Sequence, residues 1–296
     1  MHIAFLGSEA SWYLRDLRRA AGDQFTIESV SFNSIASTIE GDRIAVHQHR
    51  ALVRDTRLSN LDRYDAVLVR TMPPGSLEQI VFRMDALASL EARGTLVVNP
   101  PKAIEAAVDK YLTTSRLACA GLLVPRTITC QTAEAAMDAF SALGEDVVVK
   151  PIFGGEGRGI TRLEDKALAL RAFKLIEQLG GIIYLQEFIE HEGYDIRVLL
   201  VGDKVFAMQR RNQLDWRTNI ARGAKAESYD PTPAEVDLAC RAAEAVSAPL
   251  AGVDLLPGRD GRLYAVEVNA VPGWRALARA TGEDVAEVVL NWLSVS

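Results

Sequence analysis

Apolar residues arrive in short blocks, and the spacing within those blocks alternates between two periods. Continuous aliphatic runs at 3–6, 66–69, 96–98 and 147–149 read as strands buried on both faces. Between them, apolar residues recur at helical spacing over 12–20, 77–92, 104–119, 132–143, 167–179, 233–246 and 285–295, which predicts helices. Further strands are expected at 25–30, 126–130, 160–163, 182–186, 197–201 and 204–210. The alternation within 1–98 predicts a small parallel α/β lobe, and Asn99-Pro100-Pro101 marks its end. A second lobe is expected over 99–185 and a third, richer in long strands, over 186–296. Pro73-Pro74-Gly75 interrupts the first lobe at a strand's end, where open α/β sheets bind ligands.

The segments 252–256 and 263–269 break the apolar rule and are the most informative part of the chain. They read as a hairpin about Asp260-Gly261, a signal for a tight primed turn. That turn sets Asp254 opposite Glu267, and Asn269, two residues on, shares the face of Glu267. Three hard oxygen donors without nearby Cys or His suit Mg2+ better than zinc. A solvated sheet face is the plainer alternative. Leu255, Leu256, Val266 and Val268 argue for an interior strand instead.

A second departure follows the valine strand 147–149. Lys150 ends it, and Gly154, Gly155, Glu156, Gly157, Arg158 and Gly159 come next. No Gly-Lys-Ser/Thr closes this loop, and its glycines miss the dinucleotide spacing, so neither phosphate-binding fingerprint applies. Glycines between two strands can be a plain turn. A lysine at the end of a buried strand, however, costs desolvation unless it meets an anion. Lysine and flexible loop together suit a lid over a triphosphate.

Composition sharpens the picture by exclusion. A hydrophobic share of 49% with 24% charged residues is ordinary for a globular protein. A net charge of -6 argues against a nucleic-acid footprint. No apolar stretch suits a membrane span, and the opening apolar run is too short for a signal peptide. Cys119, Cys130 and Cys240 have neither metal spacing nor an even disulfide count, so a cytoplasmic protein with reduced thiols is expected. His47, His49 and His191 read as structural or surface residues.

Taken in order along the chain, the motifs resemble those of ATP-grasp carboxylate–amine ligases. Asp109-Lys110-Tyr111-Leu112-Thr113 resembles the family's Asp-Lys helix opening, and Val149-Lys150 with the glycine loop its second lysine strand. Gln186-Glu187-Phe188-Ile189 resembles its adenine hinge. Asp195-Ile196-Arg197, Arg210-Arg211, Trp216-Arg217-Thr218-Asn219 and Glu267-Val268-Asn269-Ala270-Val271-Pro272-Gly273 complete the series. The RimK-type α-glutamate ligases are the nearest branch, with some likeness to ligases acting on tetrahydromethanopterin-type pterin cofactors.

The resemblance implies an ATP-grasp fold: an N-terminal parallel α/β lobe plus two α+β lobes that clamp ATP. It implies that Lys110 and Lys150 bind the phosphates and that Gly154, Gly155, Gly157 and Gly159 cover them. Glu187, Phe188 and Ile189 would hold adenine, Asp195 would lie near the ribose, and Arg217, Thr218 and Asn219 near the phosphates. Asp254, Glu267 and Asn269 would hold two Mg2+ ions, with Mn2+ an acceptable substitute. Arg197, Arg210 and Arg217 are the candidate catalytic side chains. The implied reaction forms an acyl phosphate, which an amine converts to an amide, leaving ADP. Glutamate is the expected amine and a small-molecule or peptide carboxylate the acceptor; the family also forms homo-oligomers. The rival readings are a small-molecule phosphotransferase and a non-catalytic ATP sensor. In place of the ribosomal-protein branch's Ser-Pro-Gly turn stands Ala270-Val271-Pro272-Gly273, followed by Trp274. Trp274 would either face an acceptor ring or pack in the core, and the loop 70–75 would line an acceptor pocket.

Overall fold

The computed structural model describes residues 1–48, 60–155 and 157–295. His49 and Glu156, both read above from the sequence, lie outside the described residues.

The aliphatic runs at 3–6, 66–69 and 96–98 become the parallel sheet expected of the first lobe, whereas 147–149 joins an antiparallel one. Strands β1 (His2–Leu6), β2 (Thr26–Val30), β5 (Ala66–Val69) and β6 (Leu96–Val98) pair in the order β2-β1-β5-β6, all parallel. Helices α1 (Trp12–Ala20) and α2 (Leu77–Ala92) make its crossovers. α2 starts at a Ser76/Gln79 capping box, which satisfies two otherwise orphan backbone donors. A hairpin, β3 (Ile35–Glu40) with β4 (Arg43–Gln48), was not anticipated. Its cross-strand pair Ile39 and Ile44 is exposed, so it lacks the one-sided apolar pattern that marks a strand.

The helix expected over 104–119 is two helices, α3 (Pro101–Val108) and α4 (Lys110–Cys119). Asp109 takes an extended backbone and its side chain accepts from Leu112 N, so it caps α4 instead of continuing α3. The break makes Lys110 the first residue of a new helix, which fixes where its side chain starts.

A second sheet, β7-β10-β8-β9, is antiparallel throughout and built from β7 (Thr127–Cys130), β8 (Val147–Lys150), β9 (Thr161–Leu163) and β10 (Ile183–Glu187). Helices α5 (Ala133–Ala142) and α6 (Lys166–Gln178) cover it, and Phe140 and Phe173 meet edge-on in its core.

The third sheet, β13-β12-β11-β14-β15, is also antiparallel. Its strands are β11 (Tyr194–Val201), β12 (Lys204–Arg211), β13 (Lys225–Ser228), β14 (Leu250–Pro257) and β15 (Leu263–Asn269). Helix α7 (Pro233–Ala245) packs on β11, β14 and β15, where α3 and α4 also meet β15; α8 (Arg275–Thr281) and α9 (Val285–Leu293) meet β11, β12 and β13. One core joins the parallel sheet to this third sheet through α3, α4 and α7, while α1 and α9 join them in another. Trp274 belongs to the latter: it is fully buried, and its indole N–H donates to Asp16 at 3.0 Å. The expectation that it faces an acceptor ring is therefore replaced by its alternative, a core tryptophan. Among the described residues no helix is long and apolar enough to cross a membrane.

Candidate functional site

The hairpin 250–269 places its donors as expected, but by a different turn. Gly258 N bonds Arg262 O at 2.9 Å, so residues 259–261 form a three-residue loop rather than a two-residue one, with Gly261 at φ +77. The loop alone would shift the register by one and set Asp254 off its partner. A bulge in β15 between the partners of Asp254 and Leu255 restores it, so Asp254 still stands opposite Glu267 and Gly252 opposite Asn269.

Asp254 is not a free ligand. It is 5% exposed, and Arg197 grips it through Nε and, at 2.7 Å, Nη2. Arg210 Nη2 adds a contact at 2.9 Å. Arg210 also forks onto Asp195 at 2.7 and 2.5 Å, and Thr218 donates to Asp195 at 2.6 Å. Two carboxylates and two guanidiniums thus form one buried network with no net charge. Burial raises the Asp254 pKa, but Arg197 and Arg210 outweigh it and hold the carboxyl below its ordinary range. Burial wins at Asp195, which is raised despite Arg210.

Glu267 faces this network from the open side. Its carboxylate is partly exposed and lies 3.8 Å from Lys110 Nζ. Lys110 also donates to Gly154 O at 2.6 Å, and its backbone N–H bonds Ile152 O, so α4 carries the foot of the glycine loop. Lys150 donates to Gln186 Oε1 at 2.5 Å. Burial pulls the Lys150 pKa down to about 8, helped by Lys110 and opposed by Glu267 and Asp254.

At two positions of the loop glycine is required by both backbone conformation and space. Gly157 has φ +70, and a Cβ there would collide with Asn219 Oδ1. Gly159 has φ +71 and would press Pro151 Cγ at 2.8 Å. The loop is docked by Arg222 on Gly157 O at 3.1 Å and by Arg217 on Ile160 O at 3.2 Å. Arg217 also forks onto Asp215 from Nε and Nη2.

A cavity of about 110 Å3 joins Lys150, Glu187, Phe188, Ile189, Asp195, Arg210, Arg217, Thr218, Asn219, Asp254 and Glu267. A smaller one links Lys110, Lys150 and Glu267. Asn269, Arg197 and the glycines 154, 155, 157 and 159 line neither. At the hinge, Glu187 accepts Arg126 N at 2.8 Å, while Phe188 N bonds Asp146 O and its ring lies under Arg162. The hinge is thereby fixed in place by the second sheet. Gln186, His191, Trp216 and Ile160 also line the cavity and were not singled out as site residues. Gln186 precedes Glu187 in the hinge motif and Trp216 precedes Arg217, so adjacency was the available signal. His191 accepts Gly193 N at 3.1 Å, a structural role as read from sequence, yet its ring faces the site.

Oxygen donors from two carboxylates and an amide, with two cationic amines nearby, suit Mg2+ and a polyphosphate. The described residues hold no cluster of three or more His, Cys, Asp or Glu arranged for a metal ion. An ion here would have to rely on two carboxylates, the Asn269 amide and ligand oxygens. Asp254 Oδ2 meets both guanidiniums, whereas Oδ1 meets only Arg197 Nε and retains a lone pair.

Lys150 supplies a pH test of this geometry. Binding an anion favours its charged form, so ADP titrated at pH 8 is expected to draw in about half a proton. Nucleotide affinity should fall as pH rises through that value. Calorimetry in buffers of different ionisation heat measures the uptake, and Lys150→Arg should abolish it. Zero uptake by the unaltered protein would show that Lys150 does not meet the phosphates.

Two antiparallel sheets, two lysines, a glycine loop and an acidic hairpin come together here in the order that ATP-grasp ligases carry them. The chain belongs to the RimK-like ATP-grasp family, whose domain matches residues 107–293. It is 34% identical over 262 residues to tetrahydromethanopterin:alpha-L-glutamate ligase of Methanosarcina acetivorans, with 79% of this chain and 81% of that protein covered. It is also 34% identical over 237 residues to the ribosomal protein bS6–L-glutamate ligase of Escherichia coli O139:H28, covering 79% and 77%. The ATP-grasp ligase PsnB, solved with a minimal precursor, superposes with a TM-score of 0.75 at 24% identity over 99% of this chain and 98% of that one. The protein is a ligase of the ATP-grasp type, and the phosphotransferase and sensor readings give way to that class.

Proposed function

We propose that the protein joins L-glutamate to the carboxylate of a small-molecule acceptor in the cytoplasm, with a pterin-type cofactor as the first acceptor to test. The observation that carries this reading is the meeting of Lys150, Glu267 and the Arg210–Asp254 network with the hinge 187–189 in one cavity. In this reading the second and third lobes, bounded near residues 99 and 186, clamp ATP. Lys110 and Lys150 take its phosphates, and Glu187 to Ile189 take adenine. Glu267, Asp254 and Asn269 hold two Mg2+ ions, for which Mn2+ can substitute. The ions neutralise charge on the phosphoryl group being transferred.

The protein's own part is positioning and exclusion of water. Arg210 is pinned by Asp195 and Asp254, so its place near the phosphoryl group is set before substrate arrives. The glycine loop, tied down by Arg222 and Arg217, shields an acyl phosphate from hydrolysis. At about 110 Å3 the cavity is smaller than the roughly 300–1,000 Å3 of ligand pockets, so admitting ATP requires its walls to part. The free cysteines 119, 130 and 240 are in keeping with a reducing compartment. The likeness to a tetrahydromethanopterin ligase supports the acceptor class.

The test incubates the protein and Mg2+-ATP with an amino-acid panel crossed with pterin, deazaflavin and peptide acceptors, read by mass spectrometry and ADP release. A pterin acceptor gaining one glutamate residue with stoichiometric ADP is the expected result. Ligation of another amino acid, or only to a peptide, would replace the proposed substrates. Stable phosphorylated acceptor without amide would overturn the ligation reading.

A further inference from the structure

The segment leaving the acidic hairpin is gripped by two buried side chains that nucleotide binding does not explain. Asn99, at the end of the parallel sheet, is 1% exposed. Its amide donates to Leu250 O at 2.6 Å and to Ala270 O, and its Oδ1 accepts Leu250 N at 3.0 Å. Gly252 is the register partner of Asn269, so Asn99 closes the ladder just beyond the last strand pair. Arg70, at the end of β5, donates from Nη2 to Pro272 O at 2.6 Å. Its guanidinium lies 4.7 Å from the Tyr13 ring and 4.4 Å from the Trp274 ring.

The two grips flank one bond. Asn269 Oδ1 accepts Val271 N at 2.9 Å, so the orientation of this amide follows the path of residues 270–272. Asn99 fixes the carbonyl before Val271 and Arg70 the carbonyl after it. The arrangement is costly as a mere lobe contact. Arg70 is buried, its Nε and Nη1 have no hydrogen-bond partner among the described residues, and apolar packing would hold two lobes together without that desolvation. Aromatic faces offset part of the charge, and the hydrogen bond sets direction.

We propose that Asn99 and Arg70 are positioning residues that aim the Asn269 side chain at the metal site. The inference rests on the reading of Asn269 as a metal donor. Partners behind a metal ligand fix its orientation, and their loss typically weakens metal affinity about 10–100-fold.

The experiment measures ADP affinity against Mg2+ concentration by calorimetry, and hydrogen exchange of segment 268–273 without metal or nucleotide. The panel is Asn99→Ala, Asn99→Asp, Arg70→Met and Arg70→Lys, with Asn269→Ala as reference. Asp284→Asn is the control, because it weakens the tie of α9 to Arg19 at 2.8 Å and leaves the Asp16–Trp274 bond and residues 270–272 in place. Expected are an Mg2+ requirement raised about tenfold and faster exchange at Val271 in the Asn99 and Arg70 variants. ADP affinity without Mg2+ should be unchanged, and Asp284→Asn should match the unaltered protein. If Asn269→Ala raises the Mg2+ requirement and the folded conservative variants Asn99→Asp and Arg70→Lys do not, the positioning role is overturned. An equal rise in Asp284→Asn overturns it too, since any loosened lobe contact would then suffice. If Asn269→Ala itself leaves Mg2+ dependence unchanged, the metal reading of Asn269 is what fails, and the positioning role falls with it.

Discussion

Arg210→Ala is expected to destabilise the protein by about 3–5 kcal/mol, the usual cost of stranding buried charge. Arg210 is 4% exposed and serves two buried acids at once, Asp195 and Asp254. Its removal leaves Asp254 with Arg197 but Asp195 with only the Thr218 hydroxyl. The paired variant Arg210→Met with Asp195→Asn restores charge balance and should regain most of the loss. Urea unfolding measures both. A single-variant cost under about 1 kcal/mol would mean that water reaches the network and screens it, as at exposed pairs. Acid should act unevenly here. Asp254 contributes stability that is present above the ordinary carboxylate range and lost as pH falls through its lowered pKa. Asp195, raised by burial, works in the opposite sense, so its protonation relieves a cost.

Glu267→Gln should lower the rate of ADP formation on the order of 10²–10³-fold, the scale of losing one preorganised electrostatic contact at a transferred group. Stability should barely change, because Glu267 is partly exposed and its distance of 3.8 Å to Lys110 is that of a weak pair. The contrast with Arg210 is the informative part: Arg210→Ala should lose stability, whereas Glu267→Gln should lose rate alone. A steady-state ADP assay with thermal melting separates them. A rate loss below about tenfold with ordinary Mg2+ dependence would remove Glu267 from the metal site.

Much of the fold was legible because local pattern and tertiary environment agree. The aliphatic runs at 3–6 and 66–69 became parallel strands, and 147–150 became β8 with its lysine at the end. Where they disagree, the reading failed. The hairpin at 35–48 leaves Ile39 and Ile44 exposed, and Asp109 interrupts a stretch whose apolar spacing runs on as one helix. The turn at 259–261 was mistaken for a shorter one, yet the opposition of Asp254 and Glu267 held because a bulge cancels the added residue.

The kinds of donor and cation, their order along the chain and the positions that need glycine follow from residue identity, since those properties belong to single side chains and to local backbone geometry. Which charges cancel does not. Asp254 is shared by Arg197 and Arg210, Trp274 is buried against Asp16, and Arg70 reaches Pro272 across 202 positions. No periodicity records such contacts. They arise when separate sheets pack, and burial then decides which polar groups must find partners and which pKa values move.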